Sequence, residues 1–513
     1  MEEKRNISIT IKKEWKMIIL VVFGIGLFTH GYMFLNNFLS SDAMWNLYAD
    51  QNIITSGRWF LSIACGLSSY YQLPWVIGCL SLVWISISAI ALIDLFSVKR
   101  KSIMIAIAGI LVTFPALVST FSYLYTADGY MLAVALVCIS VCLLQKYKWG
   151  FLPAGILLGF AIGIYQAYLA FAVLLCMALL FLAILDGEKT KVLWTRVGKM
   201  ISYGGIGLLF YWSMLQILLR IQNLTLTTYQ GIDGMGTFSL SEIPSLLQEA
   251  YVDFFTFAVR SKIMANNGVV AVAILLLYAM MILIIINQII NVKLYKKPAR
   301  IVASFLLLAL VPLATNIILL ISDEAFNHLV MRFHWVLFLI IPLIFVEKYP
   351  IKNQKLKEYF ASFVILVVGI LIFNNALRAN IAYFNMNERY EKTYAYCLRL
   401  ADRMEQTEGY YVGIPVMIIG VVDAKEYPDT DVTNEITDSM IGVNGSIFLY
   451  TGEQYQAFFS HYLSIPLNLI DSDEIIRIYD TDAYRELETF PSMKSMKVVD
   501  GILYIKTEPK EEE

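Results

Sequence analysis

Residues 151–185 read FLPAGILLGFAIGIYQAYLAFAVLLCMALLFLAIL, with no acidic or basic side chain among them. About 20 apolar residues cross a bilayer. The stretch is therefore too long for one comfortable span and long enough for a pair. The place to divide it is Gly163-Ile164-Tyr165-Gln166. An amide at membrane depth is costly unless it is bonded, and a turn near the interface lowers that cost.

The same reading carried along the chain predicts about eleven spans, roughly 17–39, 74–96, 103–122, 130–145, 150–164, 167–185, 200–219, 268–290, 301–321, 333–347 and 360–376. Composition agrees. Of 513 residues, 58% are hydrophobic and 16% charged, with a mean hydropathy of +0.65. Soluble domains carry about a quarter charged residues. The first apolar segment is followed by Asn36-Asn37 and a polar loop, with no small-residue cleavage site, which predicts a retained span.

Lysine and arginine are sorted by side. Segments 1–16, 97–102, 145–149, 186–199, 291–300 and 347–359 hold 22 of the 39, whereas the intervening loops hold only Arg58, Arg220, Arg260, Lys262 and Arg332. Basic loops stay in the cytoplasm. The expected arrangement is an N-terminus inside, and loops 40–73, 123–130, 220–267 and 322–333 outside together with residues 377–513. The six cysteines show no CxxC or Cys/His ligand spacing, so neither a disulfide frame nor a zinc site is expected.

Two parts follow: a multi-span domain over 1–376 and a tail over 377–513 with 12 basic and 24 acidic residues. In the tail, 387–406 has helical spacing and 410–422 is a β-branched apolar run. Lys497 to Lys506 reads as a hairpin around Asp500-Gly501. A small extracytoplasmic α/β domain is expected there. Residues 242–259 form an amphipathic pattern rich in Phe and Leu, expected to lie on the membrane surface.

Polar groups gather in the outward loops. The first reads SSDAMWNLYADQNIITSGRW over Ser40–Trp59. If 42–54 is helical, Asp42, Asn46 and Asp50 share a face. Asp42 is then either a membrane-surface base or a helix cap. Arg58-Trp59 is either an interfacial anchor or a cation for phosphate. Asp128 sits in Tyr123-Leu-Tyr-Thr-Ala-Asp-Gly-Tyr as a second acid or an N-cap, and Tyr165-Gln166 forms a polar turn. The loop from Asp323 to Trp335 holds Arg332 and His334 at the head of an apolar span, where an unpaired cation is expensive and an anionic phosphate is a natural partner.

These features resemble the C-type glycosyltransferase superfamily. The closer resemblance is to the bacterial O-antigen glucosyltransferase family of phage-conversion type. It rests on Asp42 with Gly57-Arg58-Trp59, on the Asp128 loop, on the Tyr165-Gln166 turn and on the tail motif from Phe490 to Lys506. Family members often carry a double acid in the first loop, where this chain has Ser41-Asp42. The resemblance implies a bacterial cell-membrane enzyme that moves a hexose, glucose by expectation, from a polyprenyl-phosphate donor to a cell-surface glycan with inversion. Its partners are then the lipid-linked donor, the glycan and the bilayer, and not nucleic acid. Asp42 and Asp128 are the expected catalytic acids. Arg58, Trp59, Tyr165, Gln166, Arg332 and His334 are expected to handle substrate and phosphate. No cofactor is fixed, and a divalent metal such as Mg or Mn has room in the chemistry. The rival readings are a flippase for lipid-linked glycan, which calls for charge in mid-span, and a non-enzymatic envelope assembly protein.

Overall fold

The computed structural model describes residues 12–38, 40–235, 241–321, 327–349, 354–419, 436–437, 439–445 and 449–508. Asp323 and Glu324, residues 420–422 of the expected tail strand, and the last five residues lie outside these. The chain divides into two compact units. The larger comprises Met1–Leu35 and Asp50–Ala379, the smaller Asn36–Ala49 and Asn380–Glu513.

The larger unit is helical. Helices α1 (Lys13–Leu35), α2 (Leu61–Cys65), α3 (Pro74–Leu95), α4 (Lys101–Thr113), α5 (Ala116–Ser122), α6 (Leu124–Lys146), α7 (Phe151–Ile164) and α8 (Leu169–Leu185) come first. They are followed by α9 (Thr190–Gln222), α10 (Ile243–Arg260), α11 (Gly268–Asn291), α12 (Pro298–Thr315), α13 (Leu337–Lys348) and α14 (Gln354–Glu405), whose residues from Asn380 on belong to the smaller unit. Among the described residues, nine helices are long and apolar enough to cross a membrane, or ten if the bent pair α4–α5 counts as one span. Helix α7 is shorter, at 14 residues. These helices fall along the chain where hydropathy placed its eleven stretches.

Local chemistry explains the ends. Pro74 and Pro298 open α3 and α12, where a missing N–H costs nothing. The Asn267 side chain caps α11 by accepting from the Val270 amide at 3.0 Å. Pro115 breaks α4 from α5: Phe114 before it is extended (φ −60°, ψ 131°) and the axes bend by 44°. His30 of α1 bonds the Val112 carbonyl just before this break, at 2.8 Å. That contact satisfies a histidine buried within an apolar helix.

In the smaller unit, a four-stranded sheet has the order Asn468–Leu469, Pro415–Ile418, Ile502–Ile505, Met496–Val499. Its last two strands are the antiparallel hairpin, turning at Asp500 (φ 49°) and Gly501 (φ 80°) as a type I′ turn demands. The strand Pro415–Ile418 runs parallel to both of its neighbours. Met417, Ile478, Tyr484, Leu487 and Tyr504 form the buried core. The expected helix at 387–406 is the last part of α14.

The first loop corrects a sequence expectation. Residues 42–54 are not one helix. A single 3-10 turn covers Asp42–Met44, and a second begins only at Ile54. Buried Ala43 and Met44 anchor the first turn against the helix Gly452–Phe458, within the smaller unit. Packing of these two apolar side chains wins over the helical pattern around them.

Candidate active site

In the larger unit the polar groups are held where helices break. Between α7 and α8 the chain is extended at Tyr165 (φ −156°, ψ 116°), then turns through Gln166–Tyr168. Loop 54–60 is fastened to this break. The Phe60 amide donates to the Gly163 carbonyl at 2.8 Å. Gln166 Nε2 donates to the Ser56 carbonyl at 2.9 Å and to the Tyr211 hydroxyl at 3.3 Å. Gly57, between them, has φ +74°, and a Cβ there would stand 2.5 Å from both Gln166 Nε2 and the Tyr211 hydroxyl. Glycine is required by conformation and by closeness together.

These restraints aim two neighbouring side chains differently. Trp59 is buried among Phe60, Phe160 and Phe210, and Gly163 gives its ring room. It packs and thereby positions Arg58. The half-buried Arg58 guanidinium lies 4.8 Å from the Tyr165 ring centre. Its Nη1 donates to the Tyr130 hydroxyl at 3.3 Å. Tyr130 and Tyr165 stack with centroids 4.5 Å apart and planes 6° from parallel. Tyr125 and Tyr229 are within electrostatic reach, and His328 feels the charge of Arg58. Among the described residues no carboxylate pairs with Arg58, and its Nε is buried without a hydrogen bond. The result is a cation seated in phenol rings with its charge unmatched.

Arg332 is placed otherwise. Its fork meets Asp253 of α10 in two bonds, Nη1 to Oδ2 at 2.8 Å and Nη2 to Oδ1 at 2.6 Å. Its Nε donates to the Asn327 carbonyl at 3.3 Å, and Phe257 lies 4.4 Å beneath its centre. The cation that membrane energetics required to be paired is paired within the protein. The amphipathic segment 242–259 is helical, as α10. It carries Asp253 and packs on α12, through Asn316 Nδ2 to the Ala250 carbonyl at 2.7 Å, and on Trp335 through Phe254. His334 is buried beside Arg332. His328, before the 3-10 turn at Leu329–Val336, is held below its ordinary value by burial, by Arg332 and by Arg58.

Asp128 requires a correction. It lies inside α6, whose N-cap is Tyr123, so it is neither a loop residue nor a cap. Helix α6 starts six residues earlier than hydropathy placed it, because Tyr125, Thr126 and Asp128 find protein rather than lipid around them. Asp128 is 1% exposed. Its Oδ1 accepts from the Gly129 amide at 2.9 Å. The Ser68 hydroxyl is adjacent but donates to the Cys65 carbonyl at 2.9 Å, and Oδ2 has no hydrogen bond among the described residues.

Asp42 belongs to the smaller unit. Its side chain is exposed, and the local chain still desolvates the carboxyl enough to raise it above its ordinary value. Asn46 Nδ2 bonds the Asp42 backbone carbonyl at 2.8 Å, and no side-chain cap bond forms at this turn.

Among the described residues no three His, Cys, Asp or Glu side chains converge as metal ligands do. Around Arg58 the donors are phenols, an amide and a guanidinium, a poor set for a hard dication.

An apolar cavity of about 360 Å3 opens between α8 and α10–α13, with Phe181, Phe254, Met281, Phe338 and Phe345 on its walls. Phe254 adjoins Asp253, so one wall ends at the Asp253–Arg332 pair.

The bundle of membrane-length apolar helices is that of a multi-span membrane protein. The family model for glucosyl transferase GtrII matches residues 31–341. The chain belongs to that family and is a membrane glycosyltransferase. No curated protein and no solved structure matches it.

The matched region contains Asp42, Arg58, Asp128, Tyr165, Gln166, Arg332 and His334. Of these, the structure brings Arg58 and Tyr165 into one constellation, braced by Gln166. Arg332 and His334 form a neighbouring cluster. Sequence reading missed Tyr130, Tyr211 and Asp253. The signal for Asp253 is an acid inside the aromatic run Tyr251-Val-Asp-Phe-Phe-Thr-Phe257.

Proposed function

We propose that this enzyme moves glucose from a polyprenyl-phosphate donor to a cell-surface glycan, on the face of the bacterial cytoplasmic membrane opposite the basic loops. The observation that carries the reading is Arg58. A cation at membrane depth is expensive without an anion, and around Arg58 the described residues supply only phenols and an amide. The donor phosphate is the missing counter-charge. The apolar cavity bounded by Phe254 and Phe338 suits the first units of its lipid chain. The size is within the roughly 300–1,000 Å3 usual for ligand sites.

In this reading, the acceptor oxygen attacks the anomeric carbon as the bond to the phosphate oxygen breaks. The lipid phosphate leaves with the bonding electrons, and the configuration inverts. Arg58 stabilises the charge on that phosphate. Tyr165 and Tyr130 fix the plane of the guanidinium, while Gln166 and Trp59 hold the loop that carries it. Arg332 and His334 support the backbone that carries His328, the Arg332 fork being taken by Asp253 and its Nε by the Asn327 carbonyl. Asp42 is the proposed acceptor of the hydroxyl proton, and desolvation raises its carboxyl above the ordinary value. Asp128 offers a buried polar contact to the sugar.

The test is transfer of labelled glucose from polyprenyl phosphate to candidate glycans in sealed vesicles of known orientation. Product should form only with acceptor on the side opposite the basic loops. Arg58→Gln should raise the donor KM by about 10–100-fold, the worth of a charged hydrogen bond, and Arg58→Lys should restore part of it. Unchanged donor KM in Arg58→Gln would remove the phosphate from this site.

A further inference from the structure

We propose that a second cavity, between α1, α3 and α6, holds the headgroup phosphate of an anionic bilayer phospholipid. It encloses about 970 Å3 and lies where these helices meet the basic segments 97–102 and 145–149. It is remote from Arg58. Tyr130 and Lys146 are sixteen positions apart on α6, which separates them by about 24 Å along the axis.

The cavity has the polarity of a phospholipid. Its walls are apolar, with Ile87 and Ile90 from α3 and Ile139 and Leu143 from α6. Its rim carries Lys12, Lys99 and Lys146, against the single acid Asp94. Of the other acids at this end, Glu347 is engaged by Arg100, Glu188 by Arg196 and Asp186 by Lys348, and Glu14 in the first turn of α1 stands among Lys12, Lys13 and Lys16. The rim lysines have no such partners among the described residues. Two of them rest on aromatic faces, Lys12 at 5.1 Å from the Trp15 ring and Lys146 at 5.6 Å from the Tyr147 ring. The rings hold the ammonium groups at the rim without neutralising them. Basic pockets between spanning helices are suited to anionic headgroups. A phosphate at this rim would satisfy the excess positive charge while its acyl chain covered the isoleucine wall. A free anion would meet the charge and leave that wall bare, which is why the occupant is a lipid.

The experiment is native mass spectrometry of the full chain released from nanodiscs of phosphatidylglycerol and phosphatidylcholine in equal amounts. The wild-type protein should retain phosphatidylglycerol selectively. Lys99→Gln with Lys146→Gln should lower that selectivity by about 10–30-fold, each lysine being worth roughly a factor of five. Lys296→Gln with Lys297→Gln, basic residues outside the cavity, should leave it unchanged. Ile87→Trp, which fills the wall and keeps every charge, should also reduce retention. Equal selectivity in the Lys99/Lys146 variant and the wild type overturns the proposal. So does displacement of the lipid by millimolar inorganic phosphate, which would mark a simple anion site. Retention is read without turnover, so the result is independent of the proposed transfer reaction.

Discussion

Removing one partner of the Asp253–Arg332 pair separates a structural cation from a phosphate ligand. The side chains are 9% exposed at Arg332 and 25% at Asp253, and the two bonds are both short. Breaking a fully buried pair costs about 3–5 kcal/mol. With Asp253 a quarter exposed, solvent screening reduces this, and about 2–3 kcal/mol is expected for Asp253→Asn, which strands the more buried charge. Arg332→Met strands the more exposed one and should cost about 1–2 kcal/mol. The double change Asp253→Asn/Arg332→Met removes both charges and should recover most of the loss. The coupling between the sites is then on the order of 3 kcal/mol. Unfolding in mixed micelles can be followed by tryptophan fluorescence, to which Trp335, stacked on Phe254 next to Asp253, contributes. The donor KM should change less than threefold in the double variant. If Arg332→Met is as stable as the wild type and instead weakens donor binding tenfold, the fork serves the phosphate, and the reasoning from its geometry is refuted.

Three further outcomes follow from the site. Gly57→Ala forces a side chain into φ +74° and onto Gln166 and Tyr211; unfolding measurements should show a loss of about 1–3 kcal/mol, with lower transfer as Arg58 moves. His328 has its folded-state value held below the ordinary one of about 6.5. Its contribution to stability is therefore complete above that value and is lost as pH falls below it towards the folded value. The slope of stability against pH below about 6.5 should flatten in His328→Gln, and an unchanged slope would assign it to other groups. Asp42→Asn keeps shape and removes the proton acceptor, so kcat should fall by about 10²-fold or more with folding intact; near-normal turnover would leave Asp42 without a catalytic part.

Hydropathy made the bundle legible because each span must satisfy its own backbone, and so announces itself in about twenty consecutive residues. The break at Tyr165-Gln166 and the hairpin at Asp500-Gly501 were legible for a related reason: each is written in adjacent residues. What the sequence could not show is pairing across distance. Asp253 and Arg332 are 79 positions apart, and Arg58 and Tyr130 are 72 apart. Either cation taken alone reads as an unmatched charge, yet only one of them is. Asp128 was misplaced because its polarity resembles a loop. Inside the bundle, the Gly129 amide lets that carboxylate sit within a helix.

The breaks themselves explain which polar residues are left to act. An unbroken helix has no spare backbone group, so a polar site in a membrane requires interrupted spans, and each interruption must be repaired by protein. Gln166 repairs one, taking the Ser56 carbonyl, and the Phe60 amide takes that of Gly163. Arg332 repairs another. It sits at a non-helical backbone position (φ −98°, ψ 17°), donates to the Asn327 carbonyl and binds Asp253. Asn316, just past the end of α12, donates to the Ala250 carbonyl of α10 and so is also engaged by protein. Polar side chains at the breaks therefore divide into those consumed by repair and those with capacity remaining. By this criterion Gln166 and Arg332 are largely consumed. Arg58 is not: its one hydrogen bond goes to a phenol, its Nε is unbonded, and its charge is unmatched by any carboxylate among the described residues. A substrate bearing one negative charge completes this site by binding it, which is why the phosphate belongs with Arg58 in the proposed reaction.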